Sequence, residues 1–497
     1  MQPTAGRDAY FRATTYPAVA GTAQPNLMND GPRPSPDRSE EQIACVKRYE
    51  SMMGLNNSGF FDVEEYELIM DHYLCNNEAR KAQVVLELAK TQHPDSVDIT
   101  FCEALVHMGM GRLSKGLEIL DALEKVEPFN EEIHLHKASI YSQQRNYRRA
   151  VEHYKRALQL AEEGLDEIYL DLAFEYENLD EFEEALSCLK KAVEVNPENE
   201  AVLHELAYCF DLAGADEASI VYFRNFTNEF PYSAVGWYNL GNVLAKLDRM
   251  EDSNEALDLA IAIDERFTSA YFSRARNMLL AGDYENAIAC YEETLVFDGP
   301  QAITFSFVGE CYEKMERYDQ ALIHYDQSIH LDPTWADAWI GRGVVKDILN
   351  LLPEAIRDLE NATRIAPDNA DSWYYYANSL ARSERYPEAL LSYEKLNSIE
   401  PQSLEGWMDH ADLLQQLKGP EAALKKLQEG EMVHKLNARY LYRLASYLLR
   451  CGREQQALLV LEDALMSDFA AHITLLEHFP EVANMPQVMH LLELYKK

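Results

Sequence analysis

The stretch SWYYYANSLARSERYPEALLSYEKLNSIEP alternates apolar and polar positions with the period of a helix. Trp373, Tyr376, Ala377 and Leu380 fall at i, i+3, i+4 and i+7 and form one apolar stripe. Neighbouring helical residues point about 100° apart, so the four rings from Trp373 to Tyr376 cannot share a face. The pattern assigns Trp373 and Tyr376 to a core, places Tyr374 and Asn378 on a separate stripe, and leaves Tyr375 unassigned. A turn at SERY separates this helix from a second one that begins at YPEAL.

The same pattern recurs at a fixed stride. Ala82, Gly116, Ala150, Ala185, Ser219, Ser253, Ala287, Ala321, Ala355, Ala389, Ala423 and Ala457 are spaced by 34 residues, apart from one step of 35. A second column lies twelve places upstream, from Met70 and Ala104 to Ala411 and Ala445, and is almost wholly Ala or Gly. Short turns such as AGDYEN and MERYDQ separate the two columns. Each period therefore reads as helix, turn, helix, with small residues where the paired helices approach. Trp237, Trp339, Trp373 and Trp407 supply bulk to interlock with them. Seven periods close on a proline: Pro94, Pro128, Pro197, Pro231, Pro333, Pro367 and Pro401. Proline stops the second helix and directs the chain onward.

This pattern resembles the tetratricopeptide repeat family. GWYNLGNVLAKLDRMEDSNEALDLAIAI (236–263) and AWIGRGVVKDILNLLPEAIRDLENATRIAP (338–367) carry its Trp, Leu/Gly and Ala signature places. The resemblance covers about twelve repeats over residues 63–471, the first two and the last more divergent. It implies an all-α fold, a right-handed α-solenoid of helix-turn-helix repeats, whose concave groove is lined by the first helix of each pair. Residues 1–39, rich in Pro, Gly, Ala and Thr, read as a disordered tail. Residues 40–62 read as a capping helix, with Ile43, Val46, Tyr49 and Met53 on one side, followed by a linker. Residues 472–497 read as a C-terminal capping segment with a last helix at 487–495.

Charge and composition narrow the partners. A net charge of −39 disfavours binding to phosphate backbones and favours basic partners or plain solubility. The eight cysteines are scattered without a C-x-x-C pair, as expected of buried thiols in a reducing compartment. No stretch approaches a membrane span and no signal peptide is apparent, so a cytoplasmic location is expected. The only close histidine pair is His134 with His136, and His204-Glu205 lacks the second histidine of a zinc helix. No Gly-rich phosphate loop or nucleophile motif occurs, so neither metal, cofactor nor enzymatic activity is expected.

The remaining candidate chemistry is the stripe that spacing and the family resemblance turn to the concave side. It pairs Tyr238 with Asn242, Phe272 with Arg276, and Tyr374 with Asn378, with Asn239 and Arg382 close by. Some members of the family hold a chaperone's C-terminal carboxylate with a Lys and Asn clamp. The first Lys of that clamp is replaced here by Tyr238, Phe272 or Tyr374. Rings and amides suit an extended peptide with apolar side chains better. Lys246, Lys314, Arg382 and Arg450 recur near the ends of first helices, where cations complement the helix dipole. The expected function is a non-enzymatic scaffold, monomeric or weakly self-associating, that binds a polypeptide segment. The alternatives are a structural protein acting by self-association, or a regulatory subunit docking on a separate enzyme.

Overall fold

A computed structural model of the chain describes residues 36–54 and 59–496. Among these residues every regular element is helical, and twelve helix pairs follow one another from Val63–Cys75 with Ala79–Gln92 to Ala438–Arg450 with Glu454–Ser467. The described chain forms two compact units, one ending at Ala270 and one beginning at Tyr271. Each is a solenoid-like stack of helix-turn-helix pairs.

Local chemistry sets the start of many first helices and the turn that follows them. Ser96, Asn130, Asn199, Ser233, Asn369, Ser403 and Asn437 precede first helices and accept hydrogen bonds from the backbone of the first turn. Asp62 and Glu65 form a reciprocal capping box before Val63–Cys75. Between paired helices the chain turns through one left-handed residue at the 34-residue stride: Asn77, Gly111, Arg145, Asp180, Gly214, Asp248, Gly282, Glu316, Asn350, Glu384 and Gly452. The next amide then reaches back across the turn, as when Arg317 N–H donates to the Tyr312 carbonyl at 2.9 Å. One repeat departs from this. Its first helix, Leu404–Lys418, runs through the turn, and Gly419 takes the positive φ instead.

The small-residue columns are where paired helices touch. Ala321, Ala355 and Ala389 have no solvent exposure. A Cβ added at Gly343 would stand 2.7 Å from Leu359 Cγ, and one at Gly241 would stand 2.8 Å from Leu257 Cγ. Ser253 Oγ donates to the Gly241 carbonyl at 2.7 Å, joining the two columns directly.

The ends differ from expectation in detail. The N-terminal helix starts at Pro36, inside the stretch expected to be disordered, and the rest of that expectation lies outside the described residues. Its packed side is Cys45, Val46, Tyr49 and the half-buried Met52, whereas Ile43 and Met53 are 46% and 45% exposed. Gln42 sets this rotation by donating to the Leu68 carbonyl and to Asp71 on the next helix. At the other end, Leu475, Val482, Val488 and Leu492 cover the apolar side of the last pair against Leu448, Leu461 and Leu465.

Candidate functional site

In each unit several successive first helices touch one another, as Glu200–Leu212 does Ala234–Lys246 and Ala336–Ile348 does Ala370–Arg382. No two successive second helices approach comparably among the described residues. First helices therefore line the inner side of each stack, and the candidate residues lie on that helix set.

In the N-terminal unit, Tyr238 is half-buried, its ring edge-on to His204 at 6.0 Å and tilted against Phe267 at 5.0 Å. Asn242, one turn further on, is half-buried. Asn239 has a structural position: it is buried and its amide donates to the Leu203 carbonyl at 2.9 Å, tying two first helices together. Lys246 pairs with Asp211 of the preceding repeat and with Asp216, 2.8 Å away.

In the C-terminal unit, Phe272 packs among Tyr291 and Phe307, and Arg276 is half-buried on the same helix. The four-ring run resolves differently from the core assignment. Trp373, Tyr374, Tyr375 and Tyr376 are all half-buried, and Trp373 and Tyr376 pack at the edge of their cluster. Tyr374 donates to Asp409 Oδ2 at 3.2 Å, across to the next first helix, and meets Tyr375 edge-on at 5.3 Å. Asn378 accepts from the Tyr393 hydroxyl at 2.5 Å, so its carbonyl is already engaged. Arg382 pairs with Asp347 of the preceding repeat, whose other oxygen accepts from Ser379 at 2.9 Å.

Sequence reading missed the carboxylates beside this stripe. Asp409 is pushed up to about 6, first by burial and then by the charge of Asp412, with the Tyr374 hydrogen bond opposing. Burial pushes on Asp412 the same way, but His478 and Arg443 outweigh it and hold its carboxyl down at about 2. Tyr447 donates to Asp412 at 2.5 Å, and His478 Nε2 stands 3.4 Å from the same carboxylate. His478 Nδ1 lies 2.6 Å from Ser446 Oγ. Ser446, His478 and Asp412 thus lie in hydrogen-bond sequence, but Ser446 is fully buried and also donates to the Arg443 carbonyl. No substrate reaches that oxygen. The network instead ties the C-terminal segment to two first helices.

A second set of carboxyls lies on first helices of the N-terminal unit. Asp171 and Glu175 stand one turn apart on Leu165–Glu177, pushed up to about 6 and about 7 chiefly by burial. Glu177 and Glu205, on successive first helices, are also raised by burial, and the charge of Glu177 helps push Glu205 to about 8. Their signal was visible only as one acidic residue among many, since 84 Asp and Glu are spread along the chain. Among the described residues no group of His, Cys, Asp and Glu is arranged to hold a metal ion, and no helix is long and apolar enough to cross a membrane.

Family models described as tetratricopeptide repeat match residues 134–168, 166–209, 234–267, 304–334 and 349–402. The anaphase-promoting complex subunit 3 of Schizosaccharomyces pombe is 23% identical over 211 residues, 42% of this chain and 31% of that protein. The stress-induced-phosphoprotein 1 of Caenorhabditis elegans is 24% identical over 205 residues, 40% of this chain and 61% of that one. The Hsp70-Hsp90 organizing protein of Triticum aestivum is 23% identical over 208 residues, 41% and 35% of the two chains. The chain thus spans between about a third and three fifths of these relatives' lengths. Among solved structures, the Cut9-Hcn1 hetero-tetramer of the APC/C aligns over 86% of this chain and 94% of that one at 14% identity, with a TM-score of 0.42. YrrB, described as a TPR protein with an unusual peptide-binding site, aligns over 36% and 92% at 22% identity, with a TM-score of 0.28.

Proposed function

We propose that this chain, which carries tetratricopeptide repeats over the matched residues, is a non-enzymatic scaffold that holds an extended polypeptide segment against its first helices. The repeat array is taken to run over residues 63–471, with 40–62 and 472–497 as flanking caps and a cytoplasmic, monomeric or weakly self-associating protein. The observation that carries the reading is the inner stripe itself. In each unit, Tyr238 and Asn242 in one and Phe272, Arg276, Tyr374 and Asn378 in the other, these side chains are half-buried on first helices, packed along one edge and open along the rest. Half-buried rings and amides suit an extended chain, which presents apolar side chains and unpaired backbone groups. Two of the curated relatives are named as a subunit of the anaphase-promoting complex and as an Hsp70-Hsp90 organizing protein, which is in keeping with a binding role.

The test is crosslinking of the full-length chain to partners captured from native lysate, with the crosslinks mapped by mass spectrometry. Crosslinks concentrated on first helices, with partner affinity lowered in Asn242→Ala, are expected. Crosslinks confined to second helices would move the partner to the outer face and overturn the reading.

A further inference from the structure

Four carboxyls of the N-terminal unit stand without a cation. Asp171, Glu175, Glu177 and Glu205 come from two successive first helices, and among the described residues no Lys or Arg acts on any of them. Burial is nevertheless the main influence on all four, and each pair is set against itself: Asp171 against Glu175, and Glu177 against Glu205. Their partners are neutral or acidic, Tyr154 for Asp171, Ser142 for Glu175, and Cys209 and Glu205 for Glu177, so ionising these carboxyls costs free energy that no cation offsets.

Two oxygens make the deficit specific. Glu175 is 3% exposed, and its Oε2 has no hydrogen-bond partner among the described residues; the same is true of the buried Oε1 of Glu177. A buried carboxylate oxygen without a donor is rare in folded proteins and calls for one. The neighbouring surface suits a large organic cation. Asp171 keeps solvent access, and Tyr208, one turn from Glu205, is 54% exposed. An aromatic face beside carboxylates favours guanidinium or ammonium groups.

The other unit shows what completes such a site. The column spaced by 34 residues that carries Asp171 and Glu205 continues as Asn239, and later carries Asp409 and Arg443. Around Asp409 and Asp412 the protein supplies its own cation, since Arg443 pairs with Asp412. Around Asp171 and Glu205 the column offers His136 before them, which burial holds down at about 4, and after them Asn239, whose amide is given to the Leu203 carbonyl, so neither supplies a cation.

We infer that the inner face of helices Leu165–Glu177 and Glu200–Leu212 is a cation-accepting subsite, which takes an arginine or lysine side chain of a bound basic polypeptide. The inference rests on the proposed groove binding and specifies its partner chemistry. It differs from simple attraction by a net charge of −39, which any surface acid would share.

The test uses the full-length chain and an end-blocked nine-residue peptide alternating arginine with alanine, beside the same peptide with glutamine for arginine. Titration calorimetry at about 0.15 M salt keeps diffuse attraction small. Saturable binding of the arginine peptide is expected, weakened about ten-fold or more in Asp171→Asn/Glu205→Gln and for the glutamine peptide. Glu217→Gln/Glu251→Gln, two exposed acids on second helices, removes the same charge and is expected to change affinity less than two-fold. Removing raised-pKa carboxyls relieves repulsion, so the double variant is expected to fold, and its melting curve checks that. Equal weakening in both double variants, or no saturable binding to wild type, overturns the subsite. Either result leaves the groove itself standing if captured partners still crosslink to first helices. Loss of those crosslinks alone overturns the groove.

Discussion

The indole N–H of Trp373 donates to the carbonyl of Pro367 at 2.9 Å. The same bond, at the same length, joins Trp237 to Pro231, Trp339 to Pro333 and Trp407 to Pro401. Two sequence columns that look unrelated, a tryptophan and a helix-stopping proline, are thus one device. In each of these repeats the second helix ends two residues before the proline, and the next first helix reaches back to fix the connecting loop. Trp373→Phe keeps the ring but loses the bond, and is expected to cost about 1 kcal/mol. Trp407 is 9% exposed while Trp373 is half-buried, so Trp407→Ala should cost roughly 3–5 kcal/mol and Trp373→Ala clearly less. Denaturant unfolding of the three variants decides it. Equal losses for the two alanine variants would contradict the burial ranking.

The helix-pair contact is equally exposed to test. Ala321→Leu or Ala355→Leu forces bulk into a fully buried contact and is expected to cost roughly 1–3 kcal/mol, although leucine is a good helix former. An unchanged melting temperature in both variants would show the columns to be misregistered.

The left-handed turn residues give a prediction of opposite sign. Glu316 and Glu384 hold φ near 58° and 60° with exposed side chains. A non-glycine residue in that region costs about 1–2 kcal/mol, partly offset in a glycine variant by its freer unfolded chain. Glu316→Gly is therefore expected to leave stability unchanged or raise it by about 0.5 kcal/mol. The same change at Glu255, inside the helix Met250–Ile263, should cost about 1 kcal/mol. A loss at Glu316 equal to that at Glu255 would refute the backbone argument.

Stability should also fall as pH rises. Glu205 and Glu175 titrate in the native state at about 8 and about 7, above the ordinary glutamate value of 4.5. The native state therefore retains protons that the unfolded chain has released, and stability present below pH ~4.5 is lost progressively up to about pH 8. Glu205→Gln should flatten that decline. Urea midpoints at pH 5.5 and 8.0 test it, and an undiminished drop in the variant would contradict the assignment. Below pH 6.5 an opposing loss sets in, because burial holds His136 and His410 at about 4 and the unfolded chain takes up protons first.

The groove stripe can be divided by two amides. The Asn378 carbonyl already accepts from Tyr393, while among the described residues the Asn242 side chain makes no such bond. Asn242→Ala should reduce partner affinity by on the order of 1 kcal/mol with unchanged melting, whereas Asn378→Ala should also lower the melting temperature. Calorimetry and melts on both variants separate the roles, and identical melting behaviour would show the Tyr393 bond to be unimportant.

The repeat architecture was legible in the sequence because a stack of like units must place a small residue wherever paired helices meet. That demand recurs every 34 residues whatever surrounds it, so the columns, turns and helix-stopping prolines could be read directly. What each inner-face side chain does was decided only by the tertiary structure. Tyr374 reaches Asp409, Arg382 and Lys246 reach Asp347 and Asp211, and Tyr447 reaches Asp412, each across 35 residues to a neighbouring first helix. Helical spacing places a residue on a face, but not its depth between neighbours, so Asn239, counted among the groove candidates, is buried, and Trp373, read as core, is half-buried. The unneutralised carboxyls were hidden for the same reason: their character depends on burial and on which charges the adjoining repeat brings, and a single helix's periodicity carries neither.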